Sequence, residues 1–168
     1  MQRLAEVRIA QGAPEVATDL LQRALPLARA SMVANHLMQR IFGTLVVAAP
    51  DPVQARIVVD RAESILGWDE TCPFCAVMLA VPAAIACAEA GDLDHAQRHL
   101  AVAEVSAVLW EGTSWLAALD EARGAVAAAD GDSDEAAARL TTAVTGFERA
   151  GQPLDADRCR RTLVGVGA

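Results

Sequence analysis

Apolar and polar residues are distributed along the chain in a way that favours α-helices over β-strands. Helical segments of roughly ten to twenty residues alternate with short stretches containing glycine, proline or aspartate. The pattern predicts helices over residues 2–11, 14–30, 32–48, 52–66, 73–90, 93–109, 114–129, 133–149 and 153–164. Pro26 and Pro82 fall inside two of these segments, where a proline is expected to kink or shift a helix. The chain is therefore predicted to be all-α.

Small residues recur in these segments about every 40 positions. Gly12, Pro50, Gly91 and Gly131 mark turns that are 38, 41 and 40 residues apart. Alanine follows each turn at five and twelve residues, a branched aliphatic residue follows at nine, and a very small residue precedes it by seven. In chain order these are Ala17, Ala55, Ala96 and Ala136; Ala24, Ala62, Ala103 and Ala143; Leu21, Val59, Leu100 and Leu140; and Ala5, Gly43, Ala84 and Gly124. Since small side chains let helices approach closely, these positions are expected to face neighbouring helices.

The turns themselves carry helix-ending and helix-starting residues. A glycine at the turn can adopt the positive φ that terminates a helix. Asp51, Asp92 and Asp132 directly follow three of the turns and are expected to cap the next helix by accepting its free amides. Pro52 suits the first position of a helix. The repeating unit is thus predicted to be a pair of helices joined by a sharp turn.

The order of small residue, turn, alanine, large aliphatic residue and alanine resembles the tetratricopeptide repeat (TPR). The period exceeds the roughly 34 residues of that repeat, and the usual early tryptophan and closing proline are missing. The longer period is similar to the degenerate helical repeats of MalT-like and LuxR-type ATP-binding bacterial transcriptional regulators. Residues 134–167 resemble the last repeat of those proteins, which a helix-turn-helix domain follows.

This resemblance implies a right-handed superhelix of about four antiparallel helix pairs with a C-terminal capping helix. The repeats would span about 1–31, 32–68, 71–110 and 113–150, and the cap 153–167. We expect a single domain over residues 1–168 that is a fragment of a larger protein.

Composition narrows the functions that this segment could have. The net charge is −8, and the only tight basic cluster is Arg158, Arg160 and Arg161, so direct binding of nucleic acid is not expected. Residues 71–88 carry no charge, but two prolines and much alanine favour a buried helix over a membrane span. Four cysteines without extracellular spacing, and no signal peptide, indicate a cytoplasmic protein.

Two groups of residues raise the question of thiol or metal chemistry. Cys72-Pro73-Phe74-Cys75 looks like the active site of a glutaredoxin, but no strand precedes it, as a thioredoxin-like fold would require. Together with His95 and His99, four residues apart, the two cysteines have the ligand types of a zinc site. The alternative is that the cysteines are small packing residues and the histidines are solvated.

Motifs for enzyme chemistry are lacking elsewhere in the sequence. There is no phosphate-binding GxxxxGK[ST] loop, no GxSxG elbow and no HExxH helix. We therefore predict that the chain is not an enzyme and holds no cofactor or metal, and thiol redox or zinc binding is the alternative.

In TPR arrays the first helix of each pair lines a groove. Transferring that register predicts a partner-binding groove whose main residues are Leu37, Arg40, Thr44, Met78, Val81 and Glu121. Val47, Ile85, Glu89 and Ala125 would extend it. Such an apolar groove suits an amphipathic helix or peptide, with Arg40 as a polar anchor; the alternative is that these residues pack against neighbouring repeats.

The function predicted from the sequence is binding. The chain would be the sensor or scaffold region of a bacterial transcriptional regulator and would bind a protein, a peptide or a small-molecule inducer. The alternative within the same class is a free-standing TPR adaptor that forms a homodimer through its apolar ends.

Overall fold

The computed structural model describes residues 1–68 and 72–166, and within them the secondary structure is entirely helical. The helices are α1 (Gln2–Ala10), α2 (Pro14–Arg29), α3 (Ala34–Ala48), α4 (Pro52–Leu66), α5 (Val77–Glu89), α6 (Leu93–Ala107), α7 (Trp115–Ala129), α8 (Ser133–Arg149) and α9 (Pro153–Val166). A short 3₁₀ turn, Val108–Trp110, follows α6. The all-α prediction is confirmed; the predicted repeat boundary at residue 71 and the predicted end of the cap at residue 167 lie outside the described residues.

The turns form as their residues predict. Gly12, Gly91 and Gly131 all have positive φ, between 74° and 85°. Each of these turns closes with the same two backbone hydrogen bonds. The glycine N–H donates to the carbonyl three residues earlier, and the N–H of the residue after glycine donates to the carbonyl five residues earlier. The carboxylates of Asp51, Asp92 and Asp132 accept the backbone N–H three residues later, which confirms the three predicted caps.

The repeated small residues lie in the core. Of the sixteen positions in the pattern, only Leu100 is not fully buried. Consecutive helices pack against one another along the whole chain, and α3 also contacts α1 and α5, while α5 contacts α7. The small side chains therefore sit where one helix must approach two or more others.

Gly43 of α3 packs directly against the backbone of α5. A Cβ atom on Gly43 would lie 1.9 Å from the carbonyl oxygen of Met78. That carbonyl lacks its usual helical partner because the residue four positions later is Pro82, which has no N–H. One Cα hydrogen of Gly43 points towards the oxygen, the geometry of a weak C–H···O contact. The proline and the glycine thus act together to bring α3 against α5.

The start of α5 differs from the prediction. The helix was expected from residue 73, but residues 73–76 form a turn and the helix begins at Val77. The hydroxyl of Ser106 donates to the carbonyl of Pro73 and accepts the N–H of Val77. These two backbone groups would pair with each other in a continuous helix. Ser106 therefore replaces one helical hydrogen bond and separates the turn from the helix.

Smaller differences occur at other helix ends. The helix predicted from residue 32 begins at Ala34, the helix predicted to end at residue 109 becomes a 3₁₀ turn after Ala107, and α9 continues to Val166. Pro26 and Pro82 both lie within continuous helices. Among the residues that the structure describes, no helix combines the length and the apolar character needed to cross a membrane.

Candidate partner-binding groove

Helix α5 is buried on every side except one. Nine of its residues are buried. The remaining four, Met78, Pro82, Ile85 and Glu89, are spaced by four, three and four residues and so form one stripe along the helix. The first three are partly exposed and Glu89 is exposed. We call these four residues the α5 stripe.

A second partly open face lies on α3. Leu37 and Arg40 are partly exposed, and Val47 is exposed. Because Gly43 of α3 packs on the backbone of Met78, this face borders the α5 stripe. The two faces together form the candidate groove, which is apolar along its middle and has Arg40 and Glu89 as charged groups.

The predicted groove residues do not all have the same exposure. Leu37, Arg40 and Met78 are partly open to solvent, whereas Thr44, Val81 and Glu121 are 8%, 4% and 6% exposed. Val81 packs in a cluster with α6 and α7 side chains. Pro82, one residue later, is on the open stripe. The TPR register did not include Pro82, although its spacing from Met78 and Ile85 would have placed it there.

Arg40 is held by the first helix. Its Nη2 donates to Oε1 of Gln2 over 3.0 Å, and Nε2 of Gln2 donates to Oγ1 of Thr44 over 2.9 Å. The Thr44 hydroxyl donates to the carbonyl of Arg40 over 2.8 Å. These bonds orient the guanidinium at the edge of the groove. A partner carboxylate at this edge would meet a guanidinium that is already positioned, which lowers the entropic cost of binding.

At the other end of the candidate groove, α9 is joined to α7 by an ion pair. Both carboxylate oxygens of Glu121 accept from Arg158, each over 2.7 Å, in a bidentate arrangement. Asp155 also accepts from Arg158, over 2.6 Å. Although desolvation opposes it, this pairing raises the pKa of Arg158. Glu121 is therefore committed to a contact within the chain rather than open to a partner.

Glu89 lies close enough to Glu121 for the two carboxylates to repel each other. Desolvation raises the pKa of Glu89, the like charge of Glu121 raises it further, and Arg158 lowers it in part. The Glu89 side chain is open to solvent, but nearby protein atoms remove part of the water around its carboxylate. A basic group on a partner would relieve the repulsion between the two carboxylates, so this end of the groove favours a cation.

The Glu121–Arg158 pair gives a stability prediction. Replacing Arg158 with methionine keeps much of the side-chain stem but leaves the buried Glu121 carboxylate unpaired, and we expect a loss of about 2 kcal/mol in the free energy of unfolding. The control is Arg160→Met, because Arg160 bonds to the exposed Glu148 and Asp157 and should change stability by less than about 0.5 kcal/mol. Urea denaturation of both variants measures the difference; equal losses would show that Glu121 does not depend on Arg158.

A second polar cluster lies between α4 and α6, away from the α5 stripe. Nε2 of His99 donates to Oε1 of Glu63 over 2.9 Å, and the His99 ring lies beside Trp68 with 5.0 Å between ring centroids. Asp92 accepts from Nε of Arg56 over 2.9 Å and lies 2.9 Å from Nδ1 of His95. The cluster connects α4 to α6 across one repeat.

Asp92 and His99 of this cluster have shifted pKa values. Although desolvation opposes it, hydrogen bonds from Arg56 and His95 lower the pKa of Asp92 to about 2. Burial lowers the pKa of His99 and outweighs the opposite effect of Glu63. His99 is 4% exposed. It is therefore neutral in the folded protein at pH 7, which fits a hydrogen-bonded core residue.

The shift at His99 predicts a pH dependence of stability. An unfolded histidine takes up a proton as the pH falls below about 6.5. The folded state resists protonation because its pKa is lower, so folding becomes less favourable as the pH falls through this range. Between pH 6.5 and pH 5 we expect wild type to lose more of its free energy of unfolding than His99→Gln does. Denaturation curves at several pH values measure this, and parallel curves for the two proteins would contradict it.

The zinc-binding alternative can be compared with these positions. His95 and His99 bond to Asp92 and Glu63, while Cys75 lies beside His36. Within residues 1–68 and 72–166, no three His, Cys, Asp or Glu side chains are grouped so as to hold a metal ion. The cleft beside His99 and Trp68 has a volume of about 30 Å³, room for about one water molecule.

Chemically, the candidate groove can bind an apolar surface through the α5 stripe and orient it by charge at Arg40 and Glu89. Of the predicted groove residues, Leu37, Arg40 and Met78 are partly open to solvent, and Thr44, Val81 and Glu121 are buried. The comparisons with known proteins give this arrangement no precedent: no protein-family model, no curated protein and no solved structure matches the chain.

Proposed function

We propose that the chain is a TPR-like right-handed superhelix that binds a helical segment of a partner protein in the groove between α3 and α5. The observation that carries the proposal is the α5 stripe. It is the only open side of a helix that is otherwise buried, and Met78, Pro82 and Ile85 make it apolar. Amphipathic helices bind such grooves through apolar residues spaced three and four positions apart.

The superhelix is supported by contacts that recur one repeat apart. Side chains bond across 36–39 residues at Arg40 to Gln2, His36 to Cys75, Arg56 to Asp92, His99 to Glu63, Gln152 to Ser114 and Arg158 to Glu121. Each bond joins a position in one helix pair to a nearly equivalent position in the next. Repeat proteins build their stability from such contacts between neighbouring units.

Charge defines the partner helix further. Arg40 at one end of the groove favours an acidic residue on the partner, and Glu89 at the other end favours a basic one. Between them the partner would present an apolar face with residues at i, i+3, i+4 and i+7. A peptide with the opposite polarity would place like charges together and bind less well.

The proposal is tested by selecting peptides on the purified chain. Helical peptides from a displayed library are selected on the wild-type protein, and their affinities are then measured by calorimetry. We expect selected peptides to bind at least about tenfold more weakly to Ile85→Glu and Met78→Glu, because a charge in the stripe would be desolvated by an apolar partner.

The matched control is Val105→Glu. Val105 lies on α6 and is 69% exposed, so the substitution adds the same charge outside the groove and should leave the affinity unchanged. Circular dichroism of each variant checks that the fold is kept. Peptides that bind Ile85→Glu and Val105→Glu equally well would contradict the groove.

We further propose that this module is the sensor or scaffold region of a bacterial ATP-dependent transcriptional regulator. The support is the resemblance of residues 134–167 to the last repeat of such proteins, together with a net charge of −8 that makes DNA binding by this segment unfavourable. The coding sequence on either side of this segment tests the context: a nucleotide-binding domain before it and a helix-turn-helix domain after it are expected.

A further inference from the structure

The segment Cys72-Pro73-Phe74-Cys75 forms the turn that leads into α5. The Sγ atoms of the two cysteines are 2.7 Å apart, with the Cys75 thiol donating to Cys72. Nδ1 of His36, on α3, lies 3.0 Å from Sγ of Cys75. Both cysteines are free thiols. Two thiols in contact and an imidazole thus form a cluster that the binding function does not use.

The two thiols have different environments. Cys72 is partly exposed, while Cys75 is 5% exposed. Hydrogen bonds from the Cys75 thiol, and from the backbone of Cys75 and Phe74, lower the pKa of Cys72. Burial and the neighbouring Cys72 raise the pKa of Cys75 to about 12. An accessible thiol with a lowered pKa beside a buried thiol with a raised pKa matches the attacking and resolving roles in a dithiol that exchanges with disulfides.

The turn is held in place by α6 and the 3₁₀ turn that follows it. Ser106 bonds to Pro73 and Val77, and Nε1 of Trp110 donates to the carbonyl of Phe74 over 2.8 Å. The rings of Phe74 and Trp110 meet edge to face, 6.5 Å apart. These contacts fix the two sulfurs next to each other, so closing a bond between them needs little movement of the chain.

We propose that Cys72, Cys75 and His36 form a thiol–disulfide exchange site whose substrate is a low-molecular-weight disulfide. The Cys72 thiolate attacks one sulfur of the substrate, forms a mixed disulfide and releases the other half as a thiolate. Cys75 then gives its proton to Nδ1 of His36 and attacks Sγ of Cys72, which releases the second thiolate. The protein dithiol becomes a disulfide, and the substrate is reduced to two thiols once protons are taken up.

The proposal does not depend on partner binding in the groove, and its test uses no peptide. The full chain is incubated with glutathione disulfide, quenched in acid, alkylated, and examined by intact mass and peptide mapping. Wild type is expected to lose two thiols without gaining mass from glutathione, with a mapped Cys72–Cys75 disulfide. Cys75→Ser is expected to hold one glutathionyl group on Cys72, and Cys72→Ser to remain unmodified at Cys75.

The role of His36 is tested separately, by the lifetime of the mixed disulfide. Since it acts after the first exchange, His36→Asn should form the mixed disulfide at the wild-type rate but retain it several-fold longer before the ring closes. Cys87→Ala is the matched control, because Cys87 is a fully buried thiol on α5, the helix that follows the turn, and it should react like wild type.

Three outcomes would overturn the proposal: a persistent glutathione adduct on wild type, no adduct on Cys75→Ser, or a glutathione adduct on Cys75 in Cys72→Ser. Circular dichroism reports whether each variant is folded. If a cysteine variant unfolds, the wild-type protein alone can test the proposal. Titration with mixtures of reduced and oxidised glutathione is then expected to show a two-electron transition of the Cys72–Cys75 pair. The absence of that transition would contradict the proposed site.

Discussion

Replacing Gly43 with alanine is expected to destabilise the protein by about 3 kcal/mol, measured as the free energy of unfolding in urea. The added Cβ would meet the carbonyl oxygen of Met78 at 1.9 Å and its carbonyl carbon at 2.9 Å. Both atoms belong to the backbone, so no side chain can rotate away and α3 must move from α5. Alanine's better helix propensity, about 1 kcal/mol, offsets only part of this cost.

Two other helical glycines are matched controls for Gly43. At Gly124 the nearest atoms to a new Cβ are Cγ of Leu140 at 2.9 Å and the carbonyl oxygen of Ala136 at 3.3 Å, a milder overlap than at Gly43, and we expect a loss of about 1 kcal/mol. At Gly165 nothing lies within 4 Å, so alanine should be neutral or stabilise by up to about 1 kcal/mol. Equal effects at Gly43 and Gly165 would show that Gly43 does not set the distance between α3 and α5.

The helices and turns were largely predictable because their determinants are local. A glycine that ends a helix and an aspartate that caps the next one act within a few residues, and Asp92 and Asp132 do so as predicted. The burial of the repeated alanines was predictable for a related reason: small residues are favoured where helices approach closely, and this leaves a period in the sequence.

Features set by contacts between distant residues were not predictable in this way. The late start of α5 depends on Ser106, which lies about thirty residues further along the chain. The pairing of Arg158 with Glu121 and of His36 with Cys75 likewise joins residues almost 40 positions apart. Each of these side chains would also be acceptable on a solvated surface, so the sequence alone carries no signal that they meet.

The exposure of single residues in the candidate groove was likewise not predictable from the sequence. The TPR register predicts which helices line it, but it included Val81 where Pro82 lies on the open stripe. One residue along a helix corresponds to a rotation of about 100°, so an error of one residue in a transferred register selects a different side of the same helix. Exposure in the folded chain is needed to choose between neighbouring residues.

Replacing Leu140 with alanine is expected to cost about 3 kcal/mol and to loosen the C-terminal end of the protein first. Leu140 is 1% exposed and lies in a cluster with Ala117, Phe147 and Cys159 from α7, α8 and α9. Removing it leaves a cavity that the surrounding helices fill only in part. The free energy of unfolding in urea measures the loss.

Leu100 and Leu154 are comparison positions for the loss expected at Leu140. Leu100 has the equivalent position in the preceding repeat but is only partly buried, so Leu100→Ala should cost about 1–2 kcal/mol. Leu154 is exposed, and Leu154→Ala should change stability by less than about 0.5 kcal/mol. A cost at Leu140 no greater than at Leu154 would mean that the cluster adds little to stability.

Hydrogen exchange then tests how far the Leu140 defect spreads. In a linear array of repeats each unit is stabilised mainly by its neighbours, so a defect near one end lowers protection there and little elsewhere. We expect amides of α8 and α9 to exchange faster in Leu140→Ala while those of α2 and α3 keep their wild-type rates. A uniform increase from α1 to α9 would instead indicate one cooperative core, and it would count against the repeat architecture on which the proposed groove depends.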